Sequence, residues 1–160
     1  GPVLQSVLTT ATDEIMRGST TDELLKNLKE NIDSVIDNFQ LDEEMVSSYA
    51  GPLYNRAVEQ IASNTPGGIP SKDEINTLAS LRGLLGIAEE DVYEVHFNTF
   101  GEAYKKGIKE ALGTTGVIRE EFRAPLEDLR SRLGVSEEAA RDIYLEALSE
   151  RMKPMVEFPG

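Results

Sequence analysis

One imidazole, His96, is the only side chain in this 160-residue sequence with an unperturbed pKa between pH 5 and 8. Its carboxylate neighbours Glu94 and Asp91 share its helical stretch, and residues two apart on a helix do not face each other. No serine is evidently paired with it, and the sequence has no cysteine, so neither nucleophile–base pair is drawn. Zinc wants three or four ligands, typically histidine or cysteine, and one is present. Three acidic clusters, Asp42-Glu43-Glu44, Glu89-Glu90-Asp91 and Glu137-Glu138, invite a calcium reading. None has the alternating acids, central glycine and terminal glutamate of a calcium loop. Each stands at an expected helix start, where the dipole already favours anions. Gly67-Gly68 lacks the Lys-Ser/Thr of a phosphate loop, and Gly83, Gly86 and Gly134 follow no strand. The residues therefore imply no catalytic, cofactor-binding or metal site. His96 reads as a packed histidine. Arg82 and Arg130 remain, as salt-bridge partners within a repeated unit or as a ladder for an acidic or peptide ligand.

The elements that carry these residues read as helices. Upstream, Val3, Leu4, Val7, Leu8, Ile15 and Met16 space out a short helix ending at Gly18, although Thr9-Thr10-Ala11-Thr12 is a poor helical tract. Thr20 and Glu23 form an expected capping box, and Leu24, Leu28, Ile32, Val35 and Phe39 mark one apolar face of about 18 residues. Asp42 caps a third helix reaching Ser63, which Pro52 is expected to kink or interrupt. Asn64 to Pro70, rich in proline and glycine, suits a helix connection better than an interdomain hinge. Ser71 and Glu74 form a second capping box, and Gly86 ends that helix as a left-handed cap. A long helix from Ala88 to about Leu112 carries an aromatic stripe, Tyr93, Phe97, Phe100 and Tyr104, read as core. Lys105, Lys106 and Lys109 lie near its end, where the dipole favours cations.

An internal repeat is the strongest signal. Leu81-Arg82-Gly83-Leu84-Leu85-Gly86-Ile87-Ala88-Glu89-Glu90 reads onto Leu129-Arg130-Ser131-Arg132-Leu133-Gly134-Val135-Ser136-Glu137-Glu138, 48 residues on. Leu41-Asp42-Glu43-Glu44 is a fainter third copy, and Tyr54-Asn55-Arg56-Ala57-Val58 likewise resembles Tyr104-Lys105-Lys106-Gly107-Ile108. Units of approximately 20–64, 69–112 and 117–156 form a single region over 1–160. The expected fold is all-α, an elongated helical repeat of HEAT-like helix pairs, with a compact helical bundle as the alternative. Pro125, opposite Thr77, should bend its helix or delay its start.

With 29 acidic and 16 basic residues the net charge is −13, which disfavours a nucleic-acid partner. No apolar run reaches the roughly 20 residues of a membrane span. The opening Gly1-Pro2 reads as a protease-cleavage scar, so the chain is expected to be a soluble piece of a larger protein.

The doubled Leu-Arg-x-x-Leu-Gly-[Ile/Val]-x-Glu-Glu turn, each time before a long helix, resembles the stromal part of the 110-kilodalton component of the chloroplast inner-envelope protein translocon (Tic complex). The first long helix adds His96 and Tyr104-Lys105-Lys106; the second has Tyr144 and Arg151-Met152-Lys153. The likeness covers roughly Phe39 to Val156. It implies a non-enzymatic scaffold on the stromal side of the plastid inner membrane, within a membrane-anchored parent. Its implied partners are transit peptides or preproteins, co-chaperones, Hsp100- and Hsp70-type stromal chaperones and other translocon subunits. It implies no cofactor. Plant members carry cysteines linked to thioredoxin, and this chain has none. Two other readings stand beside it: a helical adaptor of another membrane or chaperone complex, and a small helical enzyme using His96.

Overall fold

A computed structural model describes residues 1–18, 20–65 and 68–152, the Met152 side chain excepted. Every regular element among them is helical: α1 (Pro2–Met16), α2 (Asp22–Asn38), α3 (Glu43–Asn64), α4 (Lys72–Leu85), α5 (Tyr93–Leu112), α6 (Glu120–Leu133) and α7 (Glu137–Met152). A four-residue 3-10 turn, Glu89–Val92, leads into α5. The fold is all-α. Pro66 and Gly67 of the long connection, and the third unit beyond 152, lie outside the described residues.

Packing skips along the chain: the helices joined by the α2–α3, α4–α5 and α6–α7 turns are not each other's main neighbours. Helix α1 turns Leu4, Leu8, Ala11 and Ile15 inward and touches α2, α3 and α4. Its threonines do not break it; Thr12 satisfies its own hydroxyl on the Leu8 carbonyl at 2.8 Å. Helix α3 packs on α4 and α5, and α5 in turn packs on α6 and α7. Helix α4 also touches α6, so the two units carrying the repeated turn meet directly.

Local chemistry explains most of the boundaries. Asp42 accepts from the Met45 amide at 2.9 Å, and Ser71 and Glu74 exchange both bonds of a capping box. The cap of α2 is Thr21, not Thr20: Thr21 Oγ1 accepts from the Leu24 amide at 3.1 Å, and there is no capping box. Either threonine supplies the oxygen, and the structure selects the one three residues before an apolar position. Neither proline interrupts its helix or delays its start. Helix α3 runs unbroken through Pro52, and α6 runs through Pro125. Both prolines are exposed, as are Ser48 and Glu121, so water can take over the carbonyls that lose their amide partners. Helix α6 therefore starts no later than its counterpart: α4 and α6 are both 14 residues long, at equivalent positions 48 apart.

The helices that follow the two turns differ at their first residues. Ser136 Oγ accepts from the Ala139 amide at 3.1 Å, and α7 begins directly at Glu137. Its counterpart Ala88 has no side-chain oxygen to offer, and there the first turn is wound as a 3-10 turn.

Candidate functional site: two matching clefts

Both repeated turns are built alike. Gly86 stands at φ 70, ψ 27 and Gly134 at φ 69, ψ 24, the left-handed region where a Cβ is penalised. The arginine four residues earlier reaches over each turn. Arg82 Nη1 donates to the Ile87 carbonyl at 2.9 Å, and Arg130 Nη1 donates to the Val135 carbonyl at 2.8 Å. These arginines clamp the chain as it leaves the helix. Arg130 also pairs with Glu127 and lies 3.9 Å from Glu137, whereas Arg82 makes no ion pair among the described residues.

Each turn stands over a cleft. Ile75, Leu78, Arg82, Glu89, Tyr93 and His96 line the first, of about 180 Å³, with Tyr54 of α3. Shifted by 48, the same six positions are Arg123, Leu126, Arg130, Glu137, Arg141 and Tyr144, and all of them line the second, of about 540 Å³, with Tyr104 of α5. Tyr54 and Tyr104 take corresponding places, each in the field of the arginine of its own cleft.

The α6–α7 turn narrows the first cleft, lining it with Ser131, Arg132 and Gly134, and His96 ties the turn to it. His96 is 5% exposed, with Nε2 2.7 Å from the Tyr54 hydroxyl and Nδ1 2.8 Å from the Leu133 carbonyl. A carbonyl only accepts, so Nδ1 carries the proton and the tyrosine hydroxyl donates to Nε2. Leu133 ends α6, and its carbonyl is one that the helix itself leaves unpaired. Burial lowers the pKa of His96, against a raising contribution from the Leu133 bond, and Arg82 lowers it further. Burial pushes Tyr54 up to about 12, with Arg82 opposing. Both groups are therefore neutral at neutral pH. A Cβ on Gly134 would lie 2.5 Å from His96 Nδ1, so this turn needs glycine for space as well as for its backbone angle.

Among the described residues no turn closes over the second cleft. Gly116, Val117 and Ile118, from the connection between α5 and α6, form one wall. Tyr144 replaces the histidine and is half-buried. Burial raises the pKa of Tyr104, with Arg130 opposing and Glu127 adding to it. The cleft offers apolar lining, two phenols and three arginines against two glutamates. Among the described residues no group of three or more His, Cys, Asp or Glu is placed to hold a metal ion.

Sequence reasoning named Arg82, Arg130 and His96, and the structure brings Arg82 and His96 to one cleft while Arg130 belongs to the other. It missed Tyr54, Tyr104 and Tyr144, although the likeness of the Tyr54 and Tyr104 segments was a usable signal. It also missed Lys105, which is 9% exposed and ties α5 to α7 through Glu146 at 2.8 Å and Glu150 at 3.0 Å. Those bonds hold its ammonium well above the usual lysine range. Phe97, expected in the core, is 43% exposed. No protein-family model, curated protein or solved structure matches the chain.

Proposed function

We propose that the chain is a scaffold in protein import into chloroplasts, gathering preproteins and stromal chaperones at the inner envelope by non-covalent contacts. One observation carries the scaffold reading: helices joined by the same arginine-clamped glycine turn leave, among the described residues, an open cleft lined by apolar side chains, phenols and arginines. His96 adds no base to it, because both ring nitrogens are engaged and the ring is buried. The import setting rests on the likeness of the doubled turn to the translocon component. The −13 charge gives basic transit peptides an attraction to the acidic surface outside the arginine-lined cleft. No helix among the described residues is long and apolar enough to cross a membrane.

The test is a pull-down from stromal extract with and without a transit peptide. Recovery of Hsp100- or Hsp70-type chaperones supports the reading, and peptide binding should weaken as salt is raised. Capture of no import component overturns the import setting and leaves the adaptor reading.

A further inference from the structure

The turn between α6 and α7 is fastened to the rest of the molecule in few places. Of the 14 residues of α6, Leu133 alone is buried, and its carbonyl is the one that His96 holds. Val135, just after Gly134, is the other apolar side chain that the turn buries, 1% exposed against 0% for Leu133. Among the described residues, the His96 bond is the one hydrogen bond that joins residues 131–136 to α1–α5. The arms of the turn are tied elsewhere. Helix α6 is joined to α5 through residues 113–119. Helix α7 is bound to α5 by Lys105, with Glu146 at 2.8 Å and Glu150 at 3.0 Å, and by Lys109, with Glu150 at 2.9 Å. That cluster lies about 14 Å along α5 from His96. The turn is thus the free end of two arms anchored beyond it.

We propose that His96 is a proton-released latch: a second proton on its ring frees the α6–α7 turn from α5 while the rest of the fold stays in place. With the turn seated, Nδ1 gives its proton to the Leu133 carbonyl and Nε2 receives that of Tyr54 on α3. A proton on Nε2 forces the phenol from donor to acceptor and puts a cation into a buried site. The charged groups around that site do not welcome it. Arg82 of α4 lines the cleft without an ion pair, and Arg132 of α6 does so already paired with Asp128. Glu89 is the one carboxylate in the lining; it is exposed and makes no ion pair with the ring. Tyr93 of α5 completes the set, and Arg130 and Glu137 line the space on the other side of the turn. Burial lowers the pKa of His96 with the turn seated, the Leu133 bond opposing and Arg82 adding to it. The released ring therefore takes the proton more readily. Below pH 6.5 release gains on seating by up to about tenfold per pH unit, one proton being taken up. The far anchor holds through this window, because Lys109 and Lys105 keep Glu150 ionised below its ordinary 4.5.

The chain has no cysteine, so a single introduced thiol reports release without background. Val135→Cys places it in the turn, and Leu133→Cys is a second reporter should the first disturb folding. Val58→Cys, at a position 0% exposed on α3, is the reference for opening of the whole fold. Each is labelled with a thiol reagent from about pH 7.5 to about pH 5, and the rate is divided by that of the unfolded chain at the same pH. At pH 7.5 the Val135→Cys thiol should react faster than the Val58→Cys thiol, and dilute urea should accelerate the second far more than the first. Below pH 6.5 the protection of the turn thiol should fall by up to about tenfold per pH unit. His96→Gln should abolish that dependence, and Gly134→Ala, whose Cβ collides with the ring, should speed turn labelling already at pH 7.5. A turn thiol as slow and as urea-dependent as the reference would overturn the proposal, since the turn would then open only with the whole fold. So would protection indifferent to pH, or a pH dependence that survives His96→Gln. No import partner takes part, so failure here leaves the scaffold reading standing.

Discussion

The two clefts are lined by the same six repeat positions, yet one is a joint and the other an opening. In the first, His96 spans from Tyr54 on α3 to the last carbonyl of α6 and fixes the next unit in place. In the second, Tyr144 stands where His96 would, and no further turn closes over it among the described residues. The α6–α7 turn thus serves both clefts among the described residues: its Leu133 carbonyl is held by His96 of the first, and its Arg130 and Glu137 line the second.

The largest expected effect separates the clefts at their central residue. His96→Ala removes two buried bonds and leaves both a tyrosine hydroxyl and a helix-end carbonyl unpaired beside a new cavity. Urea unfolding should show a loss of about 3–5 kcal/mol. Tyr144→Ala, at the half-buried counterpart, should cost about 1 kcal/mol. Equal losses would break the comparison. The glycines come next. Gly86→Ala meets only the left-handed penalty, about 1–2 kcal/mol, since nothing lies within 4 Å of its Cβ. Gly134→Ala adds the collision with His96 and should exceed it by about 1–3 kcal/mol, a difference readable in melting temperature. That excess should vanish in a His96→Ala background.

Acidity gives the smallest and most selective probe. The His96 pKa is lowered on folding, so below its ordinary value of 6.5 the unfolded chain takes up a proton that the folded one resists. Stability from this group is therefore complete above pH 6.5 and declines as pH falls toward the folded pKa. The slope approaches about 1.4 kcal/mol per pH unit for one proton. His96→Gln should flatten that window alone. Glu127 and Glu150, held below their ordinary 4.5 by Arg130 and by Lys109 with Lys105, act only at lower pH. A titration of unfolding free energy from pH 8 to about pH 5 resolves the two.

Elements whose signals are local were legible in the sequence. The Ser71–Glu74 box, the Asp42 cap and the Gly86 and Gly134 turns are each written within a few residues. What depends on surroundings was not. Whether Pro52 or Pro125 breaks a helix turns on whether water reaches the freed carbonyl, a matter of exposure that spacing does not encode. Thr20 and Thr21 are equivalent as capping acceptors until backbone geometry picks one. Arg82 and Arg130 were visible as a matched pair, but their targets are backbone carbonyls, which no side-chain pattern announces. His96 is joined to partners 42 and 37 residues away, and Lys105 to partners 41 and 45 away. Only the packed chain brings these together.

Because the joint between units is built around the only histidine, that residue is a ready-made spectroscopic label. Selective nitrogen-15 labelling of histidine gives a single imidazole spin system in an otherwise silent spectrum. Its two nitrogens are unlike: one bears a proton directed at a carbonyl, and the other is bare and receives a phenol. Loosening of the joint by a partner, a force or a neighbouring copy would be reported as exchange between tautomers, with no reporter group added.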